Sequence, residues 1–346
     1  MSVRGLSTLT LALLASPLAA QSEPVGLTDA RLEAVAGTTP VQAIARFGSG
    51  GEAVWIGWSI ATVAGAGHVC CGWHDGRQNG CSLADDHEGW STSDRDRPPA
   101  GRTLFVLAEA RSGRVQRLRV FSPGCAIDGA GRRVVWLGEV AAGPSLDLLE
   151  PLLDTEGERD VDERALAAVA SHADPRADCI LERRALDPKL DHDDREQALF
   201  WAGNLRGETG YRLLDRVLAS EPDGELREHA LFALTQSSYP GAIDRLKRAA
   251  VDDRDSEVRS QGLFWLAQAD QPGVGEWILA RMAAEGDEEV REQAVFALSQ
   301  LDDGADWLLR VLRTNRDPEV VRQALFWLGQ SDDPRALAEL EKILAR

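Results

Sequence analysis

The 346-residue sequence lacks the signatures of several large functional classes. Beyond its first twenty residues no stretch reaches eighteen consecutive apolar residues, so no later segment is predicted to cross a bilayer as a helix. Basic residues are in deficit, with 38 Lys and Arg against 56 Asp and Glu, for a formal charge of −18. That surface repels phosphate backbones, and no Lys/Arg stripe is present to release counterions, which argues against nucleic acid as a partner. A basic protein or peptide fits the charge better, although acidity also simply keeps a soluble surface dispersed. No GxSxG, HExxH or P-loop pattern appears. The acidic clusters (Asp85, Asp86, Glu88; Asp191, Asp193, Asp194; Asp252, Asp253, Asp255) lack the alternation and glycine of an EF-hand loop, and read as solvated turns and caps.

What is present begins at the N-terminus. Arg4, an apolar core from Leu6 to Leu14, and Ala19 and Ala20 before Gln21 follow the three-part plan of a secretory signal peptide over residues 1–20. Gln21, rather than Cys, follows the expected cut and argues against a lipid anchor. The expectation is an exported, periplasmic protein.

The second half repeats itself. Segments beginning at Arg195 (REQALFWAGNL), Arg227 (REHALFALTQS), Arg259 (RSQGLFWLAQA) and Arg291 (REQAVFALSQL) recur every 32 residues. A fifth, VRQALFWLGQS, starts at Val321, and a weaker copy, DERALAAVASH, starts at Asp162. Each reads as the first helix of a pair. Asp191, Asp223, Asp255, Asp287 and Asp317 stand where an N-cap is needed, and Pro318 suits the first helical position. Second-helix patterns lie between, such as GYRLLDRVLAS from Gly210 and ALAELEKIL from Ala336, in which Leu337, Leu340 and Leu344 cover one face.

These segments resemble HEAT repeats, specifically the short subtype named after phycobilisome lyases, whose first helix follows a pattern like DxxVRxxAxxALGxL, and the chain looks like a bacterial secreted protein containing them. DSEVRSQGLFWLAQA from Asp255 and DEEVREQAVFALSQL from Asp287 fit it closely, with Gly262 in place of the usual Ala. At the last unit Val321 stands where the Arg falls and Arg322 follows. The resemblance implies an armadillo-like α-solenoid of about six two-helix repeats over residues 158–346, with a connecting or capping helix at 141–157. It implies protein binding rather than catalysis. It also implies an internal ladder in which Arg195, Arg227, Arg259 and Arg291 bond to the capping Asp residues and hold neighbours in register. Deoxyhypusine hydroxylases look similar but hold iron through repeated His-Glu pairs. The one His-Glu dipeptide here, His87-Glu88, lies outside the repeats.

Residues 21–140 have a different grammar. Runs 53–62, 103–110, 114–121 and 132–138 are β-rich, Ser112-Gly113 and Asp128-Gly129 are turn chemistry, and 63–102 reads as a long loop. A small antiparallel β domain is predicted, giving an α+β multidomain chain. Cys70, Cys71, Cys81 and Cys125 suggest two disulfides in an oxidising compartment. Adjacent Cys70 and Cys71 would strain a bond to each other, so each is expected to reach Cys81 or Cys125. Cys179 reads as a buried apolar residue. The alternative for the cluster His68, Cys70, Cys71, His74 and Cys81 is a metal site, and with it an enzyme in the β domain. Against that stand the missing paired CxxC spacing and CGWH, which lacks a second Cys. No cofactor is expected.

One binding surface is testable from the sequence. With Ala198, Ala230, Gly262, Ala294 and Ala324 facing the core, Phe200, Phe232, Phe264, Phe296 and Phe326 lie about 200° away. Flanking them are Gln197, His229, Gln261, Gln293 and Gln323, and Asn204, Gln236, Gln268, Gln300 and Gln330. Such a ridge would grip an extended peptide, amides on its backbone and Phe on its side chains. The competing reading buries Phe between adjacent first helices. Trp201, Trp265 and Trp327, alternating with Ala233 and Ala297, read as packing and as the mark of a duplicated two-repeat unit. An adaptor is thus expected, with a structural spacer as a further alternative.

Overall fold

The computed structural model describes residues 24–66, 69–71, 81–84, 90–91, 102–155, 159–269, 271–331 and 333. The predicted leader, His68, His74, the acidic cluster at 85–88 and the predicted second-helix pattern from Ala336 lie outside them. In chain order the N-terminal part comprises β1 (Leu27–Thr28), β2 (Arg31–Ala34), α1 (Pro40–Phe47), β3 (Val54–Ala61), β4 (Cys70–Cys71), β5 (Cys81–Ser82), β6 (Trp90–Ser91), β7 (Thr103–Arg111), β8 (Arg114–Phe121), β9 (Ile127–Asp128), β10 (Arg133–Glu139) and α2 (Ala142–Leu152). The four long strands coincide with the predicted runs. Ser112 and Gly113 both take positive φ, as the tight β7–β8 turn requires.

The sheet is not antiparallel throughout, as the sequence had suggested. Its order is β2-β10-β3-β7-β8, and β10 runs parallel to both neighbours. Parallel pairing leaves no local turn signal. The polar edge strand β2, Arg-Leu-Glu-Ala, has no apolar run to betray it.

Strand alternation divides the sheet into two buried faces. Ile56, Trp58, Ile60, Val106, Ala108, Leu118, Val120 and Val135 join a core that continues without interruption into the helices. Trp55, Phe105, Leu107, Phe121, Val134 and Trp136 form a second core beneath Leu83, Ile127 and the cysteines. Gly57 leaves the slot for Trp136, since a Cβ there would lie 2.8 Å from the indole. Cys70 and Cys125 are joined in a disulfide, and Cys81 is disulfide-bonded as well. Cys179, expected to be buried, is instead a free thiol exposed on a helix.

The helical part continues with α3 (Arg159–Ser171), α4 (Pro175–Leu186), α5 (His192–Leu205), α6 (Gly207–Ser220), α7 (Gly224–Thr235), α8 (Ala242–Asp252), α9 (Ser256–Gln268), α10 (Val274–Ala284), α11 (Glu288–Ser299), α12 (Gly304–Thr314) and α13 (Pro318–Gln330). First helices α3, α5, α7, α9, α11 and α13 pack successively on one another, and α3, α5, α7, α9 and α11 each pack on the second helix that follows. Asp191, Asp223, Asp255, Asp287 and Asp317 all cap as the sequence predicts, each accepting a backbone N–H of the first turn. Gly262 admits α8 to close quarters, because a Cβ there would meet the backbone of Ala250 at 3.1 Å.

The arginine ladder is built: Arg227, Arg259 and Arg291 lie 3.9, 3.6 and 3.2 Å from the expected capping residues Asp255, Asp287 and Asp317, and a further acid two residues before the cap is the nearer partner of Arg195 and Arg227. Arg227 is buried and donates two bonds to Asp253, at 3.0 and 3.1 Å, and its third nitrogen donates to the carbonyls of Glu221 and Pro222. Arg195 reaches Glu221 at 2.5 Å, and Arg259 approaches Glu285 at 3.7 Å and Asp287 at 3.6 Å. Glu221, Asp253 and Glu285 each stand two residues before a capping Asp and accept its backbone N–H, so one carboxylate organises both the turn and the contact between pairs. Asn315 occupies that place in the last pair, and Arg291 turns to the cap Asp317, 3.2 Å away. At Val321 the ladder stops, and Arg322 is exposed and paired with Glu319 of its own helix.

A buried polar chain joins the sheet to the helices. Trp58 Nε1 donates to Ser145 Oγ at 2.8 Å, and Ser145 donates to His172 Nε2 at 3.0 Å. His172 Nδ1 donates to the carbonyl of Ala168 at 2.7 Å, which fixes the neutral tautomer. Burial holds this imidazole down to about 4.

Two outcomes are expected. Arg227→Met strands the buried Asp253 carboxylate and costs about 3 kcal/mol or more in urea unfolding. The neutral His172 contributes fully above pH 6.5, and the contribution is lost as pH falls towards 4, about 3 kcal/mol in all. His172→Gln lowers stability at pH 7 and flattens that part of the stability profile, measured by urea titration at stepped pH.

Candidate functional site

On α5, α7, α9, α11 and α13 the Phe, the residue three before it (Gln, or His229 on α7) and the amide four after it lie on one side of the cylinder, because these offsets bring side chains above one another. The structure places Phe200, Phe232, Phe264 and Phe296 half-buried, and Phe326 53% exposed. They are neither free nor engulfed: they stack from helix to helix. Phe200 and Phe232 are parallel with centroids 5.9 Å apart, and Phe264 and Phe296 repeat the arrangement at 5.9 Å. Between these pairs Phe232 meets Trp265 at 4.9 Å and Phe296 meets Trp327 at 4.7 Å.

The Trp/Ala alternation therefore has a geometric cause. Where Ala233 or Ala297 follows the Phe, the Phe faces the previous Phe. Where Trp265 or Trp327 follows, the indole takes the contact and packs edge-on against its neighbouring Phe. Trp201 is buried, whereas Trp265 and Trp327 are partly exposed and belong to the surface as well as the core. Phe326 is the most open of the five.

Gln236, Gln268, Gln300 and Gln330 are exposed along one margin, with Asn204 more enclosed. Gln236 and Gln300 donate to Thr235 and Ser299 respectively, and so are oriented rather than loose. On the other margin His229 Nδ1 lies 3.3 Å from Glu196, and Gln323 donates to Glu292 at 2.6 Å.

At its N-terminal end the aromatic surface opens into a cavity of about 630 Å³ between α3, α5 and α7. Phe200, Trp201 and Phe232 line it together with Gln197, Asn204 and His229, so part of the predicted ridge converges on one concavity. Its rim carries six carboxylates, of Asp162, Glu163, Asp191, Asp193, Asp194 and Glu196, against the guanidinium groups of Arg164 and Arg184. Burial, and then the neighbouring Asp193, raises the Glu196 carboxyl above its ordinary value, and burial raises that of Asp162. Further along, burial and then Glu257 push Glu228 up to about 7. Burial lowers His229. This acidic rim is missing from the sequence-based list of site residues. By sequence Asp191, Asp193 and Asp194 read as solvated turns and caps, and Asp162 stands where most later copies have Arg.

The alternative metal cluster gains little. A sulfur held in a disulfide is not a thiolate ligand, which removes Cys70 and Cys81, and His68 and His74 lie outside the described residues. Ser145 and His172 are hydrogen-bonded but fully buried, and they serve the joint between sheet and helices.

The family model of HEAT repeats matches residues 212–299 and again 275–346. Among solved structures, human deoxyhypusine hydroxylase in complex with glycerol is similar over 53% of this chain and 72% of that one, with 18% identity and a TM-score of 0.29. No curated protein matches the chain.

Intermediate burial predicts intermediate energetics. Phe264→Ser removes a ring stacked on Phe296 and Trp265 and costs about 2 kcal/mol, whereas Phe326→Ser costs less than about 1 kcal/mol. Chemical denaturation of the two variants side by side measures the difference; equal costs would contradict the stacking account.

Proposed function

We propose that the chain, whose residues 212–346 match the family model of HEAT repeats, is an exported, non-catalytic adaptor. Its solenoid, of about six two-helix repeats over residues 158–346, holds an extended segment of a protein partner along the first-helix surface. The observation that carries this reading is the continuous, half-open aromatic ladder from Phe200 to Phe326 with amides on its margin. Stacked rings offer apolar grip at low entropic cost, and the amides supply donors and acceptors for a peptide backbone. Rigidity comes from the arginine ladder, so little ordering free energy is spent on binding. Export follows from the leader-like residues 1–20, and the disulfide suits an oxidising compartment.

The experiment is affinity capture with the mature protein as bait, beside a variant carrying Phe326→Ser, Gln268→Ala and Gln330→Ala, three exposed positions whose loss leaves the core intact. The expected result is a specific partner whose recovery falls at least tenfold with the variant. Undiminished recovery would place binding elsewhere.

A further inference from the structure

The cavity between α3, α5 and α7 differs from the rest of the first-helix surface in charge as well as shape. In the pairs that follow, the ladder position holds Arg195, Arg227, Arg259 or Arg291, each neutralising a carboxylate of the next pair. At the head of the ladder Asp162 takes this position, so a negative group stands where a cation is otherwise built in. Lys189, at the register where later pairs carry the ladder's acid, is exposed and forms no ion pair with it. Arg184 is already committed to Asp154 and Asp194, and Arg164 is itself partnered. Glu196 has beside it the imidazole of His229, whose pKa burial lowers. Phe200, Phe232 and Trp201 line the same cavity as these carboxylates.

We propose that this cavity receives an arginine side chain of the partner, the guanidinium seated between Asp162 and Glu196 and its stem lying against the aromatic side chains. The proposal rests on the reading of the first-helix surface as a peptide-binding surface and names the residue that such a peptide must carry. The chemistry is specific. A guanidinium is planar, forks onto carboxylates and stacks on aromatic rings, and a cavity of about 630 Å³ has ample room for it. A peptide continuing from this anchor runs along Phe232 and Trp265 towards Phe326.

The test is titration calorimetry of the mature protein with an acetylated, amidated hexapeptide alternating glycine and arginine, beside its citrulline counterpart, which keeps the shape and removes the charge. The arginine peptide is expected to bind at least tenfold more tightly. Asp162→Asn with Glu196→Gln should weaken it tenfold, whereas Glu208→Gln with Glu276→Gln, which removes the same charge from exposed sites on α6 and α10, should change it less than twofold. Equal weakening by both variants would reduce the effect to diffuse attraction and overturn the proposal, as would no binding or no preference over citrulline. Panning a random peptide library on the same protein separates the two levels. Selected peptides that lack arginine, yet depend on Phe326, Gln268 and Gln330, would sink the arginine site and leave the peptide-binding surface standing.

Discussion

A helix pair in this protein has an apolar stripe that it is unable to cover alone, and almost everything else follows from how that stripe is covered. The core runs unbroken from Ile56 and Trp58 in the sheet through Leu166, Leu199, Leu231 and Leu263 to Leu328. Each pair is finished by the next, so contacts between pairs must be in register, and the chain fixes that register with charge. A buried guanidinium such as Arg227 is tolerable only because carboxylate and carbonyl oxygens take up its donors at once. That requirement ties the end of one pair to the capping turn of the next.

The N-terminal sheet solves the same problem at the other end. Rather than leaving α3 exposed, the chain packs it against β8 and closes the junction with the Trp58–Ser145–His172 chain. A satisfied polar network at a buried joint specifies one arrangement of the parts, because any displacement leaves donors or acceptors unpaired in an apolar setting. The opposite face of the sheet is covered by short strands and cysteines cross-linked over it. The sheet thus acts as the N-terminal cap of the helical stack.

The same stacking that stabilises the helices also generates the surface proposed for binding. Where Ala follows Phe, ring meets ring; where Trp follows, ring meets indole; and the alternation yields one aromatic ladder from repeats of two kinds. Core and surface are not separate sets of residues here. Half-burial leaves each Phe ring packed on its neighbours and still open on one side to the proposed partner.

The sequence by itself determined whatever is local and periodic: the 32-residue repeat, the Asp caps, the place of the arginines, the four long strands and the tight turn at Ser112-Gly113. These are legible because capping and amphipathic spacing act within a few residues. Only the tertiary structure decided the parallel insertion of β10, the exposure of Cys179, the acids that the arginines choose, the partners in the aromatic stack and the cavity beside Asp162. Each depends on groups tens of residues apart meeting across an interface. Asp162 shows the division most clearly: the sequence reveals an acid where the repeat has a base, and only the fold reveals the aromatic-lined space left beside it.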